Sequence, residues 1–373
     1  MCMLVMLNVL PLAAQHVDLR GQVSAWLLKR QTPKSTSTLG FRYLPSLSFH
    51  EPLNKKYRFR FETSLNIYPS GQFGREYRRS TEESPLTIKP YRLWIRLATD
   101  QFEARLGLQK INFGSAVLLR PLMWFDRIDP RDPLQITDGV YALLFRYFFL
   151  NNANIWFWAL YGSDSTKGWE VFPTSRKGAE FGGRLQYPLW AGEIGFAFHH
   201  RQTDFSSVME SRGKYEQIPE ARFALDGKWD VGVGLWFEAS LVHKSTDLFY
   251  AYQKMATLGC DYTFGLGNGL HLLLEQFFLN MSGRAGEFSD TKKFSAISAD
   301  YPLGLLDKAT SIVYYDWSNR ETYKFVDLQR LYDRWSYHLI LFWNPRQYSL
   351  YRNSDADFLL GGKGWQFMIV FNY

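Results

Sequence analysis

Tyr57-Arg58-Phe59-Arg60-Phe61-Glu62-Thr63-Ser64-Leu65-Asn66-Ile67 alternates without a break: odd positions are apolar or neutral, even positions polar or charged. Successive side chains of a strand point to opposite faces, so this segment has one largely aromatic face and one ionic face. The pattern returns in Tyr91-Arg92-Leu93-Trp94-Ile95-Arg96-Leu97, in Phe102-Glu103-Ala104-Arg105-Leu106, from Val231 to Leu241, and from Trp365 to Tyr373. A soluble sandwich also alternates, but Val, Ile and Leu dominate its apolar faces. Here Trp 13, Tyr 22 and Phe 30 make 17% of 373 residues aromatic. Segments of about 10–14 residues suit tilted strands crossing a bilayer, with aromatic girdles at both interfaces.

Outward from that segment, eighteen strands are predicted: 16–29, 37–49, 55–68, 88–98, 101–112, 139–149, 153–163, 177–188, 190–202, 217–226, 231–244, 252–264, 269–281, 293–303, 309–317, 334–344, 347–353 and 362–373. Strand 347–353 has the least pattern, and without a partner for it the even count becomes sixteen. With a periplasmic N-terminus, the inner turns are short: Thr99-Asp100, Pro188 to Ala191, Gly265 to Gly269 and Asn344-Pro345-Arg346. The outer connections are long and polar: 69–87, 164–176, 203–216, 282–292 and 318–333. Short turns on one side and long loops on the other are a second mark of an all-β, antiparallel transmembrane barrel. Final alternating strands ending in an aromatic resemble the C-terminal signature of bacterial outer-membrane barrels. That resemblance implies recognition of Tyr373 by the barrel-assembly machinery.

No apolar run of ~18 residues lies beyond the N-terminus, which excludes a helical membrane bundle. Met1 to Leu12 is apolar apart from Cys2 and Asn8, and Leu12-Ala13-Ala14 offers small residues before Gln15. Residues 1–15 are expected to be a signal segment, with a buried N-terminal strand or helix as the alternative. Residues 16–373 are then one barrel domain, in the outer membrane of a Gram-negative cell.

The third outer connection differs from the rest. Residues 114–138 carry Leu118, Leu119, Leu122, Met123, Trp124 and Phe125, which a water-exposed tip would not. Pro121, Pro130 and Pro133 restrict its path. The economical expectation is a loop folded into the barrel, narrowing the lumen. Arg105-x-Gly107-x-Gln109-x-Ile111-x-Phe113-Gly114-x-Ala116, followed by Asp126, Asp129-Pro130 and Arg131-Asp132, loosely resembles the broad porin group. That group includes carbohydrate, phosphate-selective and alginate-export-type channels. The resemblance covers about 40 residues and implies a constriction loop bearing Arg120, Asp126, Arg127, Asp129, Arg131, Asp132 and Asp138. The alternative is a structural plug locked by its own salt bridges.

With the aromatic face on lipid, Arg58, Arg60, Arg92, Arg96, Arg105 and Arg146 point inward, with Glu62 and Glu103 among them. A basic wall opposite an acidic loop would set up a transverse field that admits polar solutes. The arginine excess favours anions, since guanidinium binds carboxylate and phosphate bidentately. Neutral Arg–Glu ladders that merely stiffen the wall are the competing reading.

Charge alone adds little. The net +7 comes from residues alternating with apolar ones, not from a basic patch, so nucleic acid is not an expected partner. Arg75, Arg78 and Arg79 suit lipopolysaccharide phosphates. The two Cys, Cys2 and Cys260, make no disulfide framework, and no CxxC, HExxH or Walker loop is present. The rings of His199 and His200 fall on opposite faces, and His271 and Glu275 lie about 13 Å apart along one strand. Ser240 and His243 have opposite parity. No catalysis, metal or cofactor is implied. Two functions remain: a channel for small polar, preferentially anionic, solutes, and a plugged accessory barrel of an export or surface-assembly complex. Porin-type barrels often form homotrimers, and Gly182, Gly183, Gly232 and Gly234 are the small residues that bear on a contact patch here.

Overall fold

A computed structural model describes residues 16–31, 36–69, 86–163, 165–205, 217–246, 250–345 and 360–373. The expected signal segment, Arg75, Arg78, Arg79 and the expected strand 347–353 lie outside the described residues. The first nine strands are β1 (Val17–Gln31), β2 (Thr36–Pro52), β3 (Arg58–Pro69), β4 (Leu86–Ala98), β5 (Phe102–Gln109), β6 (Val140–Phe148), β7 (Asn154–Leu160), β8 (Glu180–Leu189) and β9 (Gly192–Asp204). The second nine are β10 (Gln217–Asp230), β11 (Gly234–Lys244), β12 (Tyr252–Phe264), β13 (Leu270–Ser282), β14 (Lys292–Pro302), β15 (Asp307–Asp316), β16 (Glu321–Leu331), β17 (Trp335–Trp343) and β18 (Lys363–Asn372).

Each strand pairs antiparallel with its chain neighbours, and β18 returns to β1 from Gln22↔Asn372 to Gln31↔Lys363. The sheet is therefore a closed eighteen-stranded barrel. Closure matters because an open edge in hydrocarbon would leave backbone groups unpaired, at several kcal/mol each. The alternation sorts the faces as expected: Leu93, Ile95 and Leu97 are exposed outward, while Arg92, Trp94 and Ala98 are buried inward. Leu106, Phe157, Phe181, Phe196 and Leu274 continue the outward apolar belt. Cys260 lies between exposed Leu258 and Tyr262 and is half-buried.

Two expectations are corrected. The segment 318–333 is not a long outer loop: β16 occupies Glu321–Leu331. Its outward Val326 and Leu328 are matched by inward Tyr323 and Phe325, so both faces are apolar and the period of two disappears. The count of eighteen holds through β16, not through 347–353, and β17 runs opposite to the direction expected for 334–344. Asn344-Pro345 thus opens the outer connection from β17 to β18, Arg346 lies outside the described residues, and the inner turn is at 332–334.

The second correction concerns the lumen face. It is not polar throughout. Leu273, Phe277, Phe294, Ile312, Tyr314, Phe325, Ile340 and Phe342 face inward from β13–β17 and form one buried apolar cluster with Leu28 of β1. An apolar residue on these strands therefore does not imply lipid contact.

Candidate functional site

The connection between β5 and β6, residues 110–139, lies inside the barrel. Leu118, Leu119 and Met123 join the apolar cluster of the far wall. Ile111, Phe113, Leu122, Trp124 and Phe125 form a second cluster with Val140, Leu144 and Trp158 of β6 and β7. A buried irregular backbone needs hydrogen-bond partners that no ladder supplies. Two wall carboxylates provide them. Glu275 of β13 accepts from the amides of Val117 (2.6 Å), Leu118 (2.9 Å) and Leu119 (2.6 Å), and from Trp236 Nε1 (3.0 Å). Glu238 of β11 accepts from the amides of Ala116 (2.7 Å) and Leu122 (3.2 Å). Thr257 of β12 donates to the Leu119 carbonyl at 2.5 Å. Gly114 has φ +99°, and a Cβ there would sit 2.2 Å from Glu238 Oε1, so the chain turns towards its anchor only at glycine.

In the next outer connection residues 165–179 also turn inward, contrary to the polar loop expected over 164–176. Trp169 stacks on Phe277 with ring centroids 4.8 Å apart and donates to the Arg120 carbonyl at 2.8 Å. Glu170 meets Arg222 at 2.7 Å and Arg201 at 3.0 Å.

The charges of the first loop are mostly spent within it. Arg120 pairs with Asp126 at 3.2 Å, and Arg131 with Asp129 at 2.6 Å. All four residues are buried. The Asp132 carboxylate caps the amides of Leu134 (3.0 Å) and Ile136 (3.3 Å). Burial raises its pKa above the ordinary value of 3.8, against those two amides. Asp138 takes Lys89 of β4 at 2.8 Å. Arg92 donates to the Thr137 carbonyl at 3.1 Å, so it fastens the loop's end. Arg127 is tied through its backbone amide to Thr137 Oγ1 at 2.9 Å, leaving its guanidinium out of that bond.

The remaining expected arginines gather on β3–β6. Arg96, Arg105 and Arg146 converge on Glu103 at 2.6, 3.0 and 3.7 Å. Arg60 reaches Glu62 at 3.4 Å. Arg60 and Arg105 lie 5.6 and 4.6 Å from the Trp94 ring, and Arg146 lies 3.9 Å from that of Trp156. Arg58 instead pairs with Asp100 at 3.1 Å, exposed at the β4–β5 turn. This wall therefore sets four guanidinium groups (Arg60, Arg96, Arg105 and Arg146) against two carboxylates, Glu62 and Glu103.

OmpF of Salmonella typhi, solved in complex with daunomycin, superposes with a TM-score of 0.51 at 11% identity over 96% of this chain and 97% of that chain. The anion-selective porin from Comamonas acidovorans gives 0.50 at 12% identity over 96% and 99%. OmpT of Vibrio cholerae, in its trimer form, gives 0.50 at 10% identity over 96% and 98%. The fold is that of a porin-group outer-membrane barrel. No protein-family model and no curated protein sequence matches this porin-like chain.

The porin-like barrel holds further inward charges that the sequence did not single out. Arg184 of β8 pairs with Asp226 of β10 at 2.5 Å. Arg201, Arg222 and Lys244 surround Glu220 at 2.6, 2.7 and 3.7 Å. His199 meets Glu180 at 3.0 Å and Trp158 Nε1 at 3.2 Å. Inward parity on β8–β11 was the available signal. On β17, His338 contacts Ser336 Oγ at 3.2 Å and Asp327 of β16 at 2.9 Å, a chain hidden from sequence because β16 shows no period of two. Gly182 faces inward, where a Cβ would meet the Trp158 ring nitrogen at 2.7 Å, and Gly232 sits in a turn with φ +87°. These two glycines therefore serve wall packing and a turn.

Proposed function

We propose that this barrel is a diffusion channel for small polar solutes, narrowed by residues 114–138 and biased towards anions. The observation that carries the reading is the guanidinium excess of the β3–β6 wall. Glu103 is shared among Arg96, Arg105 and Arg146, so the wall keeps a net positive face. In a lumen bounded by protein such a face raises the local anion concentration. The Comamonas porin of the same fold is anion-selective by name, which supports this reading.

Purified protein in a planar bilayer tests it. A reversal potential in a salt gradient is expected on the anion-selective side. Replacing Arg60, Arg96 and Arg105 by Gln should move it towards cations. An unmoved potential would make the arginines structural. A second reading, a plugged accessory barrel, is favoured by the burial of the loop: Leu119 is 0% exposed, and Trp169 of the next connection donates to the Arg120 carbonyl. On that reading the bilayer stays silent.

A further inference from the structure

A cavity of about 160 Å³ remains between loop residues 127–138 and strands β1–β4, β17 and β18. It lies on the seam between the two halves of the lumen. Trp26, Ile340 and Met368 line it from the apolar side, and Arg42, Tyr68 and Arg127 from the polar side. A cavity of roughly 150 Å³ with apolar walls accommodates one benzene ring.

The carboxylates at this cavity already have partners. Asp129 has Arg131, Asp138 has Lys89, and Asp132 has the amides of Leu134 and Ile136. The cations do not come out even. Among the described residues neither Arg42 nor Arg127 has a carboxylate within ion-pair distance, and Asp132 acts on Arg42 only from beyond it. The Arg42 Nε is buried without a hydrogen-bond partner among them. Its guanidinium is instead set between rings, 6.0 Å from the Trp26 centroid and 5.2 Å from that of Tyr68. Ring faces hold a guanidinium in place without using its donors, which stay available for a carboxylate. An inorganic anion would satisfy Arg42 but waste Trp26, Ile340 and Met368. A neutral apolar molecule would leave the guanidinium unanswered.

We propose that this cavity binds one aromatic carboxylate, its carboxyl group on Arg42 and Arg127 and its ring against Trp26, Ile340 and Met368. The proposal rests on the channel reading, which it sharpens from anions in general to single-ring organic acids.

The test is calorimetric titration of the detergent-solubilised full-length protein with sodium benzoate, sodium acetate and benzylammonium chloride, with current block by the same three in a bilayer. Benzoate is expected to bind at least tenfold more tightly than acetate or benzylammonium. Arg42→Gln and Trp26→Leu should each weaken benzoate about tenfold, and Arg42→Lys, which keeps the charge, by less. Far-UV circular dichroism identifies variants that still fold. Equal affinity for benzoate and acetate, or benzoate binding indifferent to both Arg42→Gln and Trp26→Leu, overturns the proposal. A conducting protein with no benzoate preference sinks the cavity and leaves the channel standing. A protein that binds benzoate as expected but passes no current sinks the channel and leaves the cavity.

Discussion

Glu275 shows how a single wall residue can govern a loop more than a hundred positions away. Its carboxylate takes three successive loop amides, Val117 to Leu119, across a sequence separation of 156–158. A buried amide without a partner costs roughly 1–3 kcal/mol. Glu275→Ala should therefore free the loop tip, and Glu275→Gln, which keeps one carbonyl acceptor, should do so partly. Hydrogen exchange is the measurement: the amides of 117–119 should exchange at least tenfold faster in the alanine variant. Equal protection in variant and parent would mean that apolar packing alone holds the tip. The same residue marks a boundary of sequence reading. Its inward parity was legible, but its partner was not, because no local rule pairs a strand carboxylate with a loop so distant in the chain. Asp132 gives a test in pH. Burial raises its folded pKa above 3.8, so the fold favours the neutral acid. That contribution is complete below pH 3.8 and is lost as pH climbs through the raised folded value. Asp132→Asn, whose single carbonyl oxygen can still accept from Leu134, should remove this slope from the urea midpoint plotted against pH. A variant with the parental slope would assign the titration elsewhere.

At the level of elements, a strand is most legible where polar and apolar positions alternate along it. β3, β4 and β5 announced themselves by period. β16 did not, since Tyr323 and Phe325 face in while Val326 and Leu328 face out. The misplaced turn at Asn344-Pro345-Arg346 followed from that one omission. The inward course of 114–138 was legible because six large apolar residues in an outer connection need burial. The inward course of 165–179 was not, because Trp169, Val171 and Phe172 make a short apolar group without a period among polar neighbours. Deleting 117–134 tests the loop as an element. It removes Leu118, Leu119, Leu122, Met123, Trp124 and Phe125 from the lumen, so single-channel conductance should rise severalfold. Unchanged conductance would place the narrowest point elsewhere. The same deletion takes all three loop amides from Glu275 and the Leu122 amide from Glu238, and a lower urea midpoint is expected alongside.

The whole molecule depends on closure. Its two lumen halves differ in polarity, yet both are continuous with a single ladder that ends where β18 meets β1. Gly21 and Tyr373 exchange backbone hydrogen bonds of 3.1 Å in both directions at that seam, and the hydroxyls of Tyr43 and Tyr373 meet at 2.7 Å. Ile369 sits in mid-strand, opposite Ala25 of β1 and Tyr337 of β17. Proline there removes an amide from the ladder and leaves a carbonyl without its donor at membrane depth, where water cannot substitute. Ile369→Pro should therefore act on the entire barrel, because opening the seam creates two edges and exposes both lumen halves together. The expected result is a large loss of urea midpoint in lipid vesicles, with the β signal and protease resistance lost in one transition. Gly265→Ala is the matched control: its Cβ would meet nothing within 4 Å, so the midpoint should not move. A seam variant that unfolds at the parental midpoint would mean that the other seventeen strand pairings hold the cylinder without the eighteenth.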